Sequence, residues 1–258
     1  MMQGVEVMTC KLSEEDFEVL KEPLKSGRQA PDAIAGTLVL TIFLQAILFA
    51  MEYFVVAQGT IYPYKEEILT IHFWITGGLI LFSLLYSIPA VYKRSDKIQY
   101  SISILVSQNL FSLSFLILSL FIVGNESIDG NNVSMESLLN FTYVTLGIGL
   151  LIFIVTCIRF YILLRKGAYR EGSKKEELRA RFEGKSYIPA ATIAGIGLVF
   201  VIQYIVRFSN VDFSLILFVV IGISLFFVMV FILPEQLVIL YCKIRFQSFN
   251  FNERGYLK

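Results

Sequence analysis

The sequence predicts an all-α membrane protein of six transmembrane helices with both termini cytoplasmic. Three observations carry this. The chain of 258 residues is 56% hydrophobic and only 17% charged, with a mean hydropathy of +0.68, whereas soluble domains average about 45–50% apolar and about 25% charged residues. The apolar residues gather in six blocks, each meeting the about 20 residues needed to cross a hydrocarbon core roughly 30 Å thick. The lysines and arginines fall in alternate connectors.

Residues 1–30 form a polar, acidic segment without the features of a cleavable signal peptide, so the first apolar helix is expected to act as an uncleaved insertion signal. Ser13 with Asp16 three residues later reads as a capping box, and Leu12 with Phe17 as its hydrophobic staple. Phe17, Leu20 and Leu24 make a short apolar stripe that Pro23 should limit. The expectation is a short interfacial helix lying against the bundle, or a docking site for a cytoplasmic partner.

The six blocks cover about 33–57, 68–92, 101–123, 138–164, 187–206 and 213–241. They lack the short alternation of barrel strands, so they are predicted to be helices. Nineteen basic residues lie in the N-terminal segment, the connectors after the second and fourth blocks, and the C-terminal tail (247–258 and the residues just before it). Only Lys65 and Arg207 lie in the opposite connectors, and Arg159 lies within the fourth block. The positive-inside rule therefore puts both termini in the cytoplasm. The Ile-, Phe- and Lys-rich sequence resembles small polytopic proteins of the bacterial cytoplasmic membrane.

The connector 165–186 is the one sizeable inner loop. Ser173 to Glu176 has the capping-box pattern, and Leu178 with Phe182 is an i, i+4 apolar pair. A basic amphipathic helix is expected here. Lys174, Lys175, Arg179, Arg181 and Phe182 would contact anionic lipid of the inner leaflet or a membrane or cytosolic protein partner such as an ATPase. The outer loop near 124–137 contains two glycosylation sequons, at Asn125 and Asn132, of a kind that arises easily by chance.

Within the blocks, ionisable groups are candidates for function because they are costly in a bilayer. Glu52 near the outer end of the first block and His72 near the outer start of the second either sit wetted in an aromatic belt with Tyr53, Tyr62, Tyr64, Phe73 and Trp74, or pair if their helices are neighbours. Such a pair can carry a proton or bind a cation. Gln45, Gln108, Asn109 and Gln203 are read as interhelical hydrogen-bonding groups. Small residues mark close helix approach: Gly77, Gly78, Gly147 and Gly149, and above all Ala190 to Gly197, which would make the fifth helix central. Near the end of the last block, Pro234 and Glu235 are expected at the inner boundary. Pro234 would act as a hinge, Glu235 would bridge to the basic loop, and Lys243 and Arg245 would face water on a bent extension.

No nucleotide-binding, hydrolase or zinc-protease motif is present, and a single histidine with three scattered cysteines gives no metal or cofactor site and no disulfide framework. A net charge of +1 suggests no nucleic-acid partner. The functional expectation is a non-enzymatic membrane protein acting through helix or protein contacts, of the accessory or toxin-immunity type. The alternative is a permease component working with a separate ATPase.

Overall fold

The computed structural model describes residues 12–125, 134–177, 211–252 and 255–258. The apolar block 187–206 with Gln203, the stretch Ala190 to Gly197, and Arg179, Arg181 and Phe182 of the basic connector lie outside the described residues. Five described helices are long and apolar enough to cross a membrane. We label them α1 (Pro31–Gly59), α2 (Lys65–Tyr86), α3 (Asp96–Val123), α4 (Met135–Arg165) and α5 (Val211–Arg245).

Proline sets two of the boundaries. Pro31 opens α1 at its first turn, where its missing N–H costs nothing. The second apolar block was expected to run to residue 92, but α2 stops at Tyr86. Ile88, forced extended (ψ 124°) by the following Pro89, separates it from a single helical turn at Pro89–Tyr92.

Close contacts fix the helix directions. α5 runs antiparallel to α3: Gly222 meets Ser119 and Phe115 near one end, and Lys243 reaches Asp96 at the other. α4 runs parallel to α5: Gly149 lies against the Phe226 ring, and further along both helices Thr156 and Leu163 line one cleft with Phe231 and Glu235. Of the glycines read as packing sites, Gly149 is one, while Gly77, Gly78 and Gly147 have no neighbour where a Cβ would sit. Large apolar side chains such as Leu40, Phe43, Trp74, Leu81 and Leu150 are exposed, as lipid-facing residues of such helices are.

The last helix departs from the sequence reading. It continues through Pro234 as one helix to Arg245, so Pro234 lies inside the helix, eleven residues before its end. Gln108, midway along α3, donates to the Met229 carbonyl at 3.2 Å and to Gln236 at 3.4 Å, which places the proline level with the middle of α3. The Met229 carbonyl neighbours that of Val230, the group whose helical partner Pro234 removes. Lys243 does not face water. It is 1% exposed, with its Nζ donating to Asp96 Oδ2 (3.3 Å) and the Phe249 carbonyl (3.0 Å), because the tail folds back over it. Asn250 turns that corner, its Nδ2 donating to the carbonyls of Lys243 and Phe246 at 2.8 Å.

The described part of the N-terminal segment packs against the bundle as short helical turns. Glu14–Lys21 is a 3₁₀ helix in which the Ser13 N–H donates to Asp16 Oδ2 at 2.8 Å, and Glu22–Lys25 adds an α-turn with Pro23 in its first turn. Proline thus starts the second piece rather than ending the first. Phe17, Leu20 and Leu24 are buried in the bundle end together with Phe160, Ile239, Cys242 and Phe249. Arg170 binds Asp16 at 2.7 Å, the Val19 N–H donates to the Tyr169 carbonyl at 3.0 Å, and the Ser248 hydroxyl donates to Glu14. The described parts of the N-terminal segment, basic connector and tail therefore form one layer across this end.

Charge pairing tunes that layer. The Ser248 hydroxyl and Lys21 hold Glu14 below its ordinary value. Burial raises Asp16, but hydrogen bonds from Arg170 and Ser13 outweigh it and leave the carboxyl lowered. Burial likewise opposes the ion pairs of Glu18 with Lys21 and Lys25 and loses, so Glu18 is lowered and both lysines are raised. A carboxyl lowered by folding stabilises the fold above its unfolded value and loses that contribution as pH falls through the folded one. A raised lysine stabilises below its unfolded value and loses that contribution as pH rises through the folded one. The layer is therefore expected to hold across neutral pH, to loosen as pH drops below the ordinary values of 3.8 and 4.5, and to loosen again above 10.5. Hydrogen exchange at the Val19 amide, followed against pH and corrected for intrinsic rates, measures this.

Candidate functional site

Four of the polar residues that the apolar blocks carry, Gln45, Glu52, His72 and Asn109, converge in the seam between α1, α2 and α3. Glu52 Oε2 and His72 Nδ1 are 2.6 Å apart, with the side chains 0% and 1% exposed. The reading of both as wetted groups at the outer interface is thus overturned, because the neighbouring helices and Phe49, whose ring centre lies 5.7 Å from that of His72, close around them. Each lies seven residues, about 10 Å, from the nearer end of its helix.

The pair is the head of a larger network. His72 Nε2 lies 3.3 Å from Asn109 Oδ1, and Asn109 Nδ2 donates to Gln45 Oε1 at 3.2 Å and to Thr76 Oγ1 at 3.1 Å. The Ser114 hydroxyl lies 3.5 Å from His72 Nε2. Gln45, Thr76, Asn109 and Ser114 are all buried. This arrangement favours one imidazole tautomer. With its amide nitrogen spent on Gln45 and Thr76, Asn109 turns its oxygen to His72 and takes a hydrogen bond from Nε2–H. Nδ1 is then the atom that shares a proton with Glu52.

Two of the three helices that hold these groups, α1 and α3, are widened at this level. The π-helical turn Met51–Val56 begins one residue before Glu52, and the π turn Asn109–Leu113 begins at Asn109. Such turns interrupt the regular hydrogen-bond ladder and recur at functional sites.

Among the described residues no three His, Cys, Asp or Glu side chains converge. Comparison of the chain with protein-family models, curated proteins and solved structures finds no match. The chemistry of the site therefore rests on its own geometry.

The other candidate residues lie elsewhere. Gln108 and Gln236 join α3 to α5. Glu235 is half-buried and lines a cleft of about 320 Å³ with Arg159, Tyr169 and Lys175. Lys175 donates to the Tyr169 hydroxyl at 2.7 Å and lies over its ring, while Lys174 is exposed. Ser173 caps the helical turn that follows, accepting from the Glu176 N–H at 3.4 Å.

Thr76, Ser83 and Ser114 were not singled out from the sequence, although a signal for two of them exists. Thr41, Gln45 and Glu52 on α1 share the spacing i, i+4, i+11 with His72, Thr76 and Ser83 on α2. That spacing stays within about 40° on a helix of 3.6 residues per turn, so it marks one polar stripe on each helix.

Proposed function

We propose that the chain is a six-span protein of the cytoplasmic membrane, both termini inside, and that it works as a transport component whose cycle binds and releases a proton at Glu52–His72. The observation that carries this reading is the fully buried carboxylate–imidazole contact within membrane-length helices. Ionisable groups in such positions are expensive and mark proton or ion pathways. The pair holds one shared proton at no net charge. A second proton leaves Glu52 neutral and His72 cationic, with Asn109 Oδ1 able to accept from Nε2–H in both states.

Helix direction and charge support the topology. α4 and α5 run the same way, which calls for one more crossing between them, and the 187–206 block has the length for it. The bundle end that carries Asp96, the N-terminal segment and the tail is also the end rich in lysine and arginine.

Proteoliposomes carrying the full chain and a pH-sensitive dye test the reading. An imposed pH gradient should collapse faster than in empty liposomes, and Glu52→Gln should return the rate to that of empty liposomes. The competing proposal, a protein that acts through contacts alone, predicts the same rate for both proteins and for empty liposomes.

A further inference from the structure

Resting on that reading of Glu52–His72, we propose that the transported species is the proton itself. Its route is the seam between α1, α2 and α3, running from the pair to Gln99 at the inner end of the bundle.

The first support is the matched pair of polar stripes. Thr41, Gln45 and Glu52 face His72, Thr76 and Ser83, and all six are buried. Because α1 and α2 are consecutive and antiparallel, their polar positions fall at successive depths. Glu52 and His72 lie outermost, Gln45 and Thr76 meet at Asn109, and Ser83 lies toward the inner end. Gln99 closes the series there, three residues from the start of α3, its Nε2 donating to the carbonyls of Pro31 at 2.8 Å and Tyr86 at 3.0 Å.

The second support is independent of the first. Six buried side-chain atoms among the described residues have no hydrogen-bond partner, and four of them belong to this seam: Glu52 Oε1, Gln45 Nε2, Ser83 Oγ and Gln99 Oε1. Orphaned polar atoms are costly in a bilayer interior. Four in succession from the outer to the inner level suit a path that water enters to carry protons, since buried water binds where several polar partners are within reach.

Between the Asn109 and Gln99 levels stand Leu38, Ile102 and Val106, all buried, with Leu79 packed alongside. An apolar layer of this kind interrupts a water chain and gates it by drying. The two π turns lie just outside the layer, where a change to regular α-helix would shift helix register and part the seam. One proton joins the pair at Glu52 from the outer side. One leaves through the opened layer past Ser83 and Gln99 to the inner solution. No electrons move and no bond other than O–H and N–H changes.

The same proteoliposome assay tests the route, with potassium and valinomycin to balance charge. Ser83→Ala, which deletes only a hydroxyl with no partner, should slow proton entry several-fold. Val106→Ser, which makes the apolar layer polar, should speed it. Ser119→Ala removes a buried hydroxyl off the seam and should match wild type. Ser83→Ala at the wild-type rate, with Glu52→Gln inactive, overturns the route and leaves the reading of the pair standing. A wild-type rate no faster than empty liposomes, or equal to that of Glu52→Gln, overturns both.

Discussion

Replacing His72 with alanine is expected to destabilise the protein by about 3–5 kcal/mol, the cost of removing one member of a buried ion pair. The loss arises from what stays behind. Glu52 is 0% exposed and its Oε2 has His72 as partner at 2.6 Å, so the variant leaves a buried carboxyl group without that partner. Asn109 Oδ1 loses its donor as well. Glu52→Gln should cost far less, about 0.5–1.5 kcal/mol, the net worth of a typical hydrogen bond, because a neutral amide can still meet a neutral imidazole. Adding Glu52→Gln to His72→Ala should therefore recover part of the loss. Unfolding in a detergent–denaturant series, read as ΔG for the two single variants and the double, measures all three. Equal costs for the single variants would mean that the pair carries no charge asymmetry.

The second large effect is expected at Gly222. A Cβ there would stand 2.1 Å from Ser119 Oγ and 2.9 Å from the Phe115 carbonyl oxygen of α3. Serine can rotate away, but a helix carbonyl cannot. Ser119 Oγ also donates to that same carbonyl at 2.7 Å, so moving it breaks a bond. Gly222→Ala should thus cost about 1–3 kcal/mol through overpacking. Gly77→Ala is the matched control. Nothing lies within 4 Å of its Cβ position, so the substitution should be neutral or stabilising by up to about 1 kcal/mol, since alanine suits a helix better than glycine. Thermal unfolding of the two variants beside wild type separates these outcomes.

The sequence read by itself reveals the helices better than their ends, and polar residues better than their partners. Block length and hydropathy reveal five of the expected spans directly, because crossing a bilayer demands about 20 apolar residues whatever the packing. The end of α2 was missed because the apolar run continues past Tyr86, while Pro89 breaks the backbone there. Pro234 was read as a hinge before a bent extension, whereas α5 continues through it as one helix to Arg245 under the folded-back tail. Lys243 reads as solvent-facing until Asp96, Phe249 and Phe251 are seen to enclose it. At the site, Glu52 and His72 stood out by their cost in apolar surroundings. Their contact was legible only as one of two alternatives, because it depends on two helices, twenty residues apart in sequence, being neighbours. The π turns at Met51–Val56 and Asn109–Leu113 leave no mark in composition at all.

The central claim is that the buried Glu52–His72 pair takes up and releases a proton. It is tested most directly by the decay of an imposed pH gradient in proteoliposomes of wild type and Glu52→Gln, prepared from folded protein at equal density. The account predicts decay with wild type and none above empty liposomes with Glu52→Gln. Equal decay in the two would contradict it.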